Sequence, residues 1–272
     1  HRLLALLNAV INKLDCVPSG VAFSGGLDSS LLCGLITERT EKNYYTTGLP
    51  GSFDVKNAQH AARLLGIRLD VLEFSLTDIE SVLPHVIATI ENCDPIHVAL
   101  SIPQHVITQR AATDGYKTVV TGQGADELFA GYRKYQTLSS AEPRDVNAAL
   151  AADVHNIAAN NLERDSLIAA ANSVDLILPY LDPRVVSLGL SIDWTLKLKN
   201  GINKYVLRKA AKQVIPLELA CKQKKAMQYG TGVAAALRRL ARNFQSSKKN
   251  VGSSVSDYLR TVAEENNIRV AA

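Results

Sequence analysis

Short apolar runs alternate with helix-like segments through the first half of this chain, and the alternation limits the folds open to it. The first run, residues 21–23, passes through a glycine-rich turn into a helix-like segment at 31–36. Further runs lie at residues 44–47, 71–74 and 117–120. Strands that alternate with helices form a parallel sheet with right-handed crossovers. The sequence therefore predicts an α/β fold with a doubly wound parallel sheet.

The second half of the chain has a different character. Residues 146–171 are rich in alanine, leucine and asparagine, and strand patterns largely disappear. We expect a mainly helical region that includes a terminal helix at about 257–266, started by Ser256 or Asp257. The predicted organisation is an α/β domain at residues 1–140, followed by a helical C-terminal region at 141–272 that continues the same domain.

The composition is that of an ordinary globular chain. Hydrophobic residues make up 47% and charged residues 21%, enough for one large core or two smaller ones. Near the N-terminus the apolar residues follow helical spacing, which predicts an amphipathic helix and not a signal peptide. No run approaches the roughly 20 apolar residues of a membrane span. The four cysteines are far apart and include no C-x-x-C pair. We therefore expect a soluble, cytoplasmic protein without a disulfide framework or zinc site.

Positive charge is concentrated in one part of the chain. Residues 197–250 contain fourteen Lys or Arg and a single acidic residue, Glu218, although the net charge of the whole chain is only +4. Such a segment indicates either a binding surface for ATP phosphates or nucleic acid, or a solvated basic face.

The turn after the first predicted strand has the features of a phosphate-binding loop. Residues 24–30 read Ser-Gly-Gly-Leu-Asp-Ser-Ser and lead into a helix, whose N-terminal N–H groups and dipole attract anions. Gly25 and Gly26 would allow close approach of phosphate, and the serine hydroxyls can donate hydrogen bonds. Asp28 could hold a magnesium ion. The loop therefore predicts a polyphosphate ligand.

Two other phosphate-binding motifs are missing from the sequence. No G-x-x-x-x-G-K-[ST] segment occurs. Gly122-Gln123-Gly124 is followed by Asp126 and Glu127, where a dinucleotide fingerprint needs its third glycine. Kinase-like and NAD-dependent functions are therefore disfavoured.

Ser-Gly-Gly-x-Asp-Ser is the signature of the PP-loop ATP pyrophosphatases, and the chain resembles the synthetase domain of asparagine synthetases from about residue 15 to 235. The resemblance implies an adenine nucleotide alpha hydrolase-like fold. Five further segments carry it: Gly-Leu-Pro-Gly-Ser at 48–52 with Asp54, Thr-Gly-Gln-Gly-Ala-Asp-Glu-Leu-Phe at 121–129 with Gly131 and Tyr132, Leu-Pro-Tyr-Leu-Asp at 178–182, Lys-Tyr-Val-Leu-Arg at 204–208, and Lys-Lys-Ala-Met-Gln-Tyr-Gly-Thr-Gly at 224–232.

In that family the synthetase domain adenylates a carboxylate, releases pyrophosphate and lets ammonia displace AMP. The resemblance therefore implies ATP, magnesium and a small-molecule carboxylate as ligands. It implies Asp28 and Asp126 as magnesium carboxylates and Lys204 as the contact to phosphate and developing charge. The implied catalytic residues are Lys204, Asp126, Tyr132 and Gln123. The implied nucleotide-binding residues are Ala22, Phe23, Ser24, Gly25, Gly26, Asp28, Ser29, Ser30, Thr47, Gly48, Thr121 and Gly122.

The roles implied for these residues are consistent with the charges that meet in the adenylation step. A carboxylate that attacks the α-phosphate brings anions together, so the protein must supply cations. Magnesium on two carboxylates, together with Lys204 and its basic neighbours, would meet that need.

The sequence also departs from asparagine synthetases. It contains no glutamine-hydrolysing domain, and His1 is not the N-terminal cysteine that such a domain requires. We expect ammonia to come from solution or from a separate glutaminase chain, although a sequence cut from a longer protein would read the same.

Three substitutions lie on the side where the acyl substrate is expected. Gln123 replaces a glutamate that could assist amine attack, and Ala99 and Ile177 stand where the family typically has arginine. Arginine is the preferred bidentate partner of a carboxylate. If both positions face the pocket, the acyl substrate is not aspartate.

Two other functions remain open on the sequence. One is adenylation of a tRNA base by a PP-loop enzyme, which the basic segment favours although no aromatic residues are interleaved to stack on bases. The other is a non-catalytic nucleotide-binding protein. The sequence does not exclude a homo-oligomer, and it predicts no membrane partner.

Overall fold

The computed structural model describes residues 1–14, 17–36, 41–157, 161–222, 230–247 and 254–270. Five parallel strands form one sheet: β1 (Ser19–Ala22), β2 (Lys42–Gly48), β3 (Leu69–Glu73), β4 (Thr118–Val120) and β5 (Asp175–Ile177). Their spatial order is β3-β2-β1-β4-β5. This arrangement confirms the predicted α/β fold with a parallel sheet.

The strand order reverses at β1, and this reversal determines where a ligand can bind. Val21 is paired with Tyr44 of β2 on one side and with Val120 of β4 on the other. The chain builds the sheet outward from β1 to β3 and then returns to add β4 and β5. In open parallel sheets the loops at the carboxyl ends of the two strands flanking such a reversal leave a crevice for ligands. The loops after β1 and β4 therefore border the expected site.

Helices cover the sheet and form most of the second half of the chain. Short 3₁₀ turns at Pro143–Asp145 and Pro179–Leu181 join some of them. The α-helices among the described residues are α1 (Arg2–Leu14), α2 (Leu27–Leu35), α3 (Phe53–Leu65), α4 (Leu76–Ile90), α5 (Pro95–Thr113), α6 (Ala125–Leu128), α7 (Arg133–Ala141), α8 (Val146–Ile157), α9 (Glu163–Ala171), α10 (Pro183–Ser191), α11 (Trp194–Lys197), α12 (Tyr205–Ala211), α13 (Leu217–Cys221), α14 (Val233–Ser247) and α15 (Val255–Glu265).

The amphipathic N-terminal helix is confirmed. Leu3, Leu4, Leu7, Val10 and Ile11 are all buried on one face of α1, which packs against α2 and α10. These side chains join the main apolar cluster, which also contains the buried face of α2. Burial of this face fixes α2, and with it the loop that precedes α2.

A second apolar cluster lies between α4, α5, α14 and α15. It brings the C-terminal helices against helices of the first half of the chain. No helix among the described residues is both long and apolar enough to cross a membrane.

The second half is mainly helical, as predicted, and it adds one short strand, because residues 175–177 pair with β4 in the same sheet. Three residues are too few to show a period. The last helix begins after Ser254, not at Ser256 or Asp257. The Ser254 hydroxyl accepts the N–H of Asp257 while the Asp257 carboxylate accepts the N–H of Ser254, and this capping box moves the start toward the N-terminus.

Candidate active site

The loop after β1 is a tight turn that delivers the chain to the N-terminus of α2. The N–H of Phe23 still donates to Tyr45 O at 2.8 Å, after which the backbone leaves the sheet. Gly25 has φ +66° and Gly26 is the N-cap of α2, with no side chain to cap the helix. Helix geometry leaves the N–H groups of residues 27–29 without intrahelical acceptors. The loop thus presents backbone donors at a helix N-terminus, as an anion site requires.

Glycine occurs at the two positions of this loop for different structural reasons. A Cβ on Gly25 would lie 2.7 Å from Asn57 O and 2.8 Å from Ala58 Cα, so α3 packs directly against this residue. A Cβ on Gly26 would meet only Ser24 Oγ, at 3.4 Å. Gly25 is therefore needed for the fold, whereas the fold leaves open space beside Gly26 that a ligand can use.

Polar side chains hold the loop in shape. Ser24 and Ser29 share a hydrogen bond of 3.1 Å between their hydroxyls, and Asn57 Nδ2 donates to Ser24 O at 2.7 Å. The hydroxyl of Ser30 is buried and has no hydrogen-bond partner among the described residues. Asn57 is a positioning residue to which the sequence analysis assigned no role.

The loop after β4 closes over the same helix N-terminus. A Cβ on Gly122 would lie 3.2 Å from Asp28 Cβ and 3.3 Å from Ser29 N. The hydroxyl of Thr121 accepts the N–H of Gln123, which turns the chain toward α6. The loops that flank the reversal in the sheet are therefore in contact, as their topology requires.

A buried lysine joins the two loops. Lys204 Nζ lies 2.6 Å from Asp28 Oδ2 and 2.7 Å from Asp126 Oδ1, and its side chain is only 3% exposed. Three residues predicted from separate motifs thus meet at one point. Burial, the largest single influence, would lower the pKa of Lys204, but the charges and hydrogen bonds of Asp28 and Asp126 raise it above its ordinary value. The side chain remains an ammonium group at neutral pH.

The backbone around Lys204 is held in an uncommon conformation. Lys204 has φ +53° at the N-cap of α12, a left-handed geometry that costs a non-glycine residue roughly 1–3 kcal/mol. Asn203 Nδ2 donates to Gly131 O at 2.9 Å, and Arg208 Nε donates to Asn203 O at 2.8 Å. These contacts hold the turn that aims the ammonium group at the two carboxylates.

Gly131 is packed against the ion pair itself. A Cβ at this position would lie 1.8 Å from Asp126 Oδ1 and 2.3 Å from Lys204 Cε. Only glycine leaves room for the two side chains to meet. Gly131 belongs to one of the motifs that carry the family resemblance, but its sequence context alone indicates no function for it.

Tyr180 holds the backbone of the other acidic residue, Asp28. Its fully buried hydroxyl donates to Asp28 O at 3.0 Å, and its ring packs edge-on against Phe129. Burial, with smaller contributions from nearby acidic groups, raises the pKa of Tyr180 well above its ordinary value, so the hydroxyl stays protonated and remains a donor. This residue too was quoted in a motif without a role.

Tyr132 and Gln123 lie in the chain on either side of α6, the short helix that contains Asp126. The Tyr132 hydroxyl donates to Glu127 Oε1 at 2.6 Å. Gln123 is half-buried in the loop after β4. Glu127 is thus a buried carboxylate beside Asp126 for which the sequence analysis proposed no function.

The residues expected to border the adenosine are placed at the ends of β1 and β2. The Phe23 side chain is buried in the main apolar cluster, so only its backbone can face a nucleotide. Thr47 is buried and its hydroxyl donates to Leu72 O at 2.6 Å, while Gly48 lies against Ser52 and Thr231. Ala22 ends β1 and is half-buried.

The substitutions on the expected acyl side differ in location. Ala99 is only 2% exposed and packs in the second apolar cluster. Ile177 ends β5 and is half-buried against the main cluster.

Within the described part of the basic segment at 197–250, the basic side chains do not all lie at one surface. Lys204 is at the site, but Arg208 is buried and donates to the carbonyl groups of Ala220 and Lys222. Other basic residues are exposed, among them three arginines of α14. Residues 224–229 of the last quoted motif lie outside the described residues.

Comparison with known proteins agrees with this geometry. Residues 3–146 and 138–267 match the sequence profile of the asparagine synthase family. A Methanocaldococcus jannaschii protein with the provisional name asparagine synthetase [glutamine-hydrolyzing] 1 is 31% identical over 96% of this chain and 54% of its own length. Asparagine synthetase B of Escherichia coli is 29% identical over 79% of this chain and 42% of its own length.

The chain thus spans about half the length of the curated relatives that it matches. The family match nevertheless covers most of the chain, including the loops after β1 and β4 and the Lys204 turn. This protein belongs to the asparagine synthase family.

Proposed function

We propose that this protein is an ATP-dependent ligase that adenylates a small carboxylate, releases pyrophosphate and transfers the acyl group to ammonia or an amine. The observation that carries the proposal is the meeting of Lys204 with Asp28 and Asp126 beside the helix N-terminus after β1. One cation and a set of backbone donors converge where the phosphates of ATP would lie. The asparagine synthetases among its relatives support the same coarse reaction class.

Each group has a task in the first step. The N–H groups at the start of α2 and the hydroxyls of Ser24, Ser29 and Ser30 bind the pyrophosphate portion of ATP. Lys204 remains positively charged and stabilises the negative charge that grows as the carboxylate attacks the α-phosphate. Tyr180 and Asn203 hold this arrangement in place before ATP arrives. Such preorganised donors lower the barrier because they need not reorient during the reaction.

Asp28 and Asp126 fit the magnesium ion implied by the family. Their carboxylates lie on either side of Lys204 Nζ, and Asp28 Oδ1, which faces away from that contact pair, is buried without a hydrogen-bond partner among the described residues. No cluster of three or more His, Cys, Asp or Glu residues suited to a metal occurs in the described part of the chain. Magnesium commonly binds one or two carboxylates together with substrate phosphates, so two are sufficient. The ion would neutralise phosphate charge.

The acyl substrate is proposed to be a carboxylate other than aspartate. Gln123 provides no negative charge, and Ile177 offers no guanidinium for a second carboxylate. Ala99 supports this less strongly because it packs in the core.

The test is a pyrophosphate-release screen with ATP, magnesium and ammonium against aspartate, other amino acids, dicarboxylates and simple aliphatic acids. We expect release with at least one carboxylate other than aspartate. Lys204→Met should lower that release by about 100-fold or more, the usual cost of removing one stabilising group from the transition state. Lys212→Met, which changes an exposed lysine just after α12, is the matched control.

Each outcome separates the competing functions. Appreciable turnover of aspartate to asparagine at millimolar substrate would refute the proposed specificity while leaving the ligase reaction intact. ATP binding without pyrophosphate release would favour a non-catalytic nucleotide-binding protein. Copurified tRNA, with binding that weakens steeply with salt, would favour the base-modifying alternative.

A further inference from the structure

A cleft between α4, α5 and the end of α9 lies outside every group assigned to ATP. Its volume is about 540 Å³, within the roughly 300–1,000 Å³ of small-molecule sites. The lining comes from α4, α5, the residue after β3 and the C-terminal end of α9, and it includes no residue assigned to ATP, magnesium or the carboxylate. The cleft is therefore available to a second ligand.

The buried part of the lining is mainly apolar. Phe74, Ile79 and Ile102 line the cleft and are buried in the second apolar cluster. Val82 and Val106 are half-buried against the same cluster. These side chains offer no hydrogen bond, so a ligand that fits must cover them with an apolar body.

One polar side chain, His105, is buried together with them. Its ring is only 4% exposed, and Nδ1 lies 3.2 Å from Asn172 Nδ2. The same Nδ2 donates to Ile168 O at 3.0 Å, which fixes the orientation of the amide. Because an amide nitrogen only donates, Nδ1 of His105 is the acceptor and has no proton.

The other nitrogen of this ring is a donor with no acceptor. Burial, followed by the charge of His85, lowers the pKa of His105 to about 4, so at physiological pH the ring is neutral and its proton is on Nε2. The His85 ring lies 5.0 Å away between centroids, and no hydrogen bond joins the two rings. Among the described residues only Asn172 bonds the His105 ring. A buried N–H without an acceptor is costly, and a ligand that supplies the acceptor removes this cost.

The charges around the cleft disfavour an ionic ligand. No lysine or arginine of the described chain contributes to its lining, and the one carboxylate there, Asp78, accepts the N–H and the hydroxyl of Ser75 in the capping box of α4. A carboxylate ligand would be buried without such a cation. An ammonium ligand would place a donor against the N–H of His105. An uncharged acceptor has neither disadvantage.

We propose that this cleft binds an uncharged small molecule with an apolar body and a carbonyl acceptor, such as a carboxamide, whose oxygen accepts the Nε2–H of His105. The apolar body covers Phe74, Ile79 and Ile102. The site is separate from the proposed ATP site, and its existence does not depend on the ligase function.

Three test ligands of one shape separate the possible charges. Benzamide, benzoate and benzylamine share an aromatic ring and differ in the charge of the polar group. Each is titrated against the full chain by ligand-observed NMR. Benzamide should bind with a Kd on the order of 1 mM, the usual range for so small a ligand. Benzoate and benzylamine should bind at least about 10-fold more weakly. Saturating ATP and magnesium should leave the benzamide Kd unchanged, because the two sites share no residue.

Two substitutions locate the bound molecule. Ala171→Trp adds a large side chain at an exposed residue of the lining and should weaken benzamide binding by about 10-fold or more. Ala170→Trp makes the same change at the neighbouring exposed residue, which is outside the lining, and should bind like the wild type. His105→Phe keeps an aromatic ring but removes the donor, and should weaken binding by about 3- to 10-fold. His155→Phe, at an exposed residue of α8, is its matched control.

Several results would overturn the inference. These are benzoate or benzylamine binding as tightly as benzamide, benzamide binding that persists unchanged in Ala171→Trp, and no benzamide binding at about 20 mM, well above the expected Kd. Displacement of benzamide by ATP would place it in the nucleotide site instead. Self-association of the wild type that Ala171→Trp abolishes would mean that a second copy covers the cleft. If His105→Phe fails to fold, Ala171→Trp and the three ligands decide.

Discussion

Adding a single methyl group at Gly131 should disable the site while leaving the fold recognisable. The new Cβ would lie 1.8 Å from Asp126 Oδ1 and 2.3 Å from Lys204 Cε, whereas Cβ atoms essentially never approach another atom closer than 3.0 Å. Relief therefore requires Asp126 Oδ1 to move by at least 3.0 − 1.8 = 1.2 Å. The ion pair measures 2.7 Å at present, so such a movement separates it from Lys204.

The magnitude follows from two separate costs. A misplacement of about 1 Å at a reacting centre costs roughly 100-fold in rate, so Gly131→Ala should lower pyrophosphate release by at least that factor. Overpacking should also lower the free energy of unfolding by about 1–3 kcal/mol. Pyrophosphate release is measured at saturating ATP, and stability by urea unfolding of the same preparation.

A matched control separates the two costs. Gly34→Ala places its Cβ 2.6 Å from Ile215 Cγ2 at the far end of α2, where it overpacks the core without contacting the ion pair. It should lower stability similarly and retain most of the pyrophosphate release. If Gly131→Ala is as active as Gly34→Ala, the ion pair of Lys204 and Asp126 is not needed for ATP cleavage. That result would refute the prediction.

Three further predictions concern the loop and two buried titrating groups. Gly26→Ala should unfold at nearly the wild-type urea concentration but bind ATP more weakly. Gly25→Ala should lose stability, because Gly25 has a positive φ and lies in contact with α3. Equal loss of stability in the two variants would contradict the different roles given to these glycines. Burial raises the pKa of Asp54 to about 6, so its folded form binds a proton more tightly than the unfolded chain, and stability should fall as pH rises from about 4 through 6. Asp54→Asn should reduce this fall in the free energy of unfolding, measured with urea, by up to about 3 kcal/mol. An unchanged dependence of the unfolding free energy on pH would contradict the prediction. Burial, with a smaller effect of His85, lowers the pKa of His105 to about 4, so its contribution to stability is present above pH 6.5 and is lost as pH falls toward 4. His105→Gln should reduce the loss of unfolding free energy between pH 6.5 and pH 4 by up to about 3 kcal/mol. The same loss as in the wild type would refute this prediction.

Periodicity and turn chemistry were sufficient to predict the sheet except for its last strand. Four of the five strands lie on apolar runs bounded by turns, and strand–helix alternation gave their parallel arrangement. The fifth strand, β5, was missed because its three residues show no alternation and its pairing with β4 depends on the tertiary fold.

The site required more than local pattern. Asp28, Asp126 and Lys204 are far apart in the sequence, and no spacing rule brings them together. Their common location was expected only from the family resemblance. The supporting residues Gly131 and Tyr180 were contained in quoted motifs, but their functions depend on contacts in three dimensions that a sequence does not display.

Ala99 shows what a motif leaves open. Its place in the sequence indicated the substrate side, and the structure packs it in the second apolar cluster, which weakens its support for the proposed acyl substrate. A family resemblance identifies the equivalent residue in the sequence. The direction of its side chain depends on how the particular helix packs.

The most direct test of the central claim follows the oxygen atoms of the carboxylate substrate. If the carboxylate attacks the α-phosphate of ATP beside Lys204, a heavy-oxygen label in the carboxylate must appear in AMP after the amide forms. Mass spectrometry of the nucleotide products should show one labelled oxygen in AMP and none in pyrophosphate. Label in inorganic phosphate together with ADP, or unlabelled AMP, would contradict the adenylation mechanism.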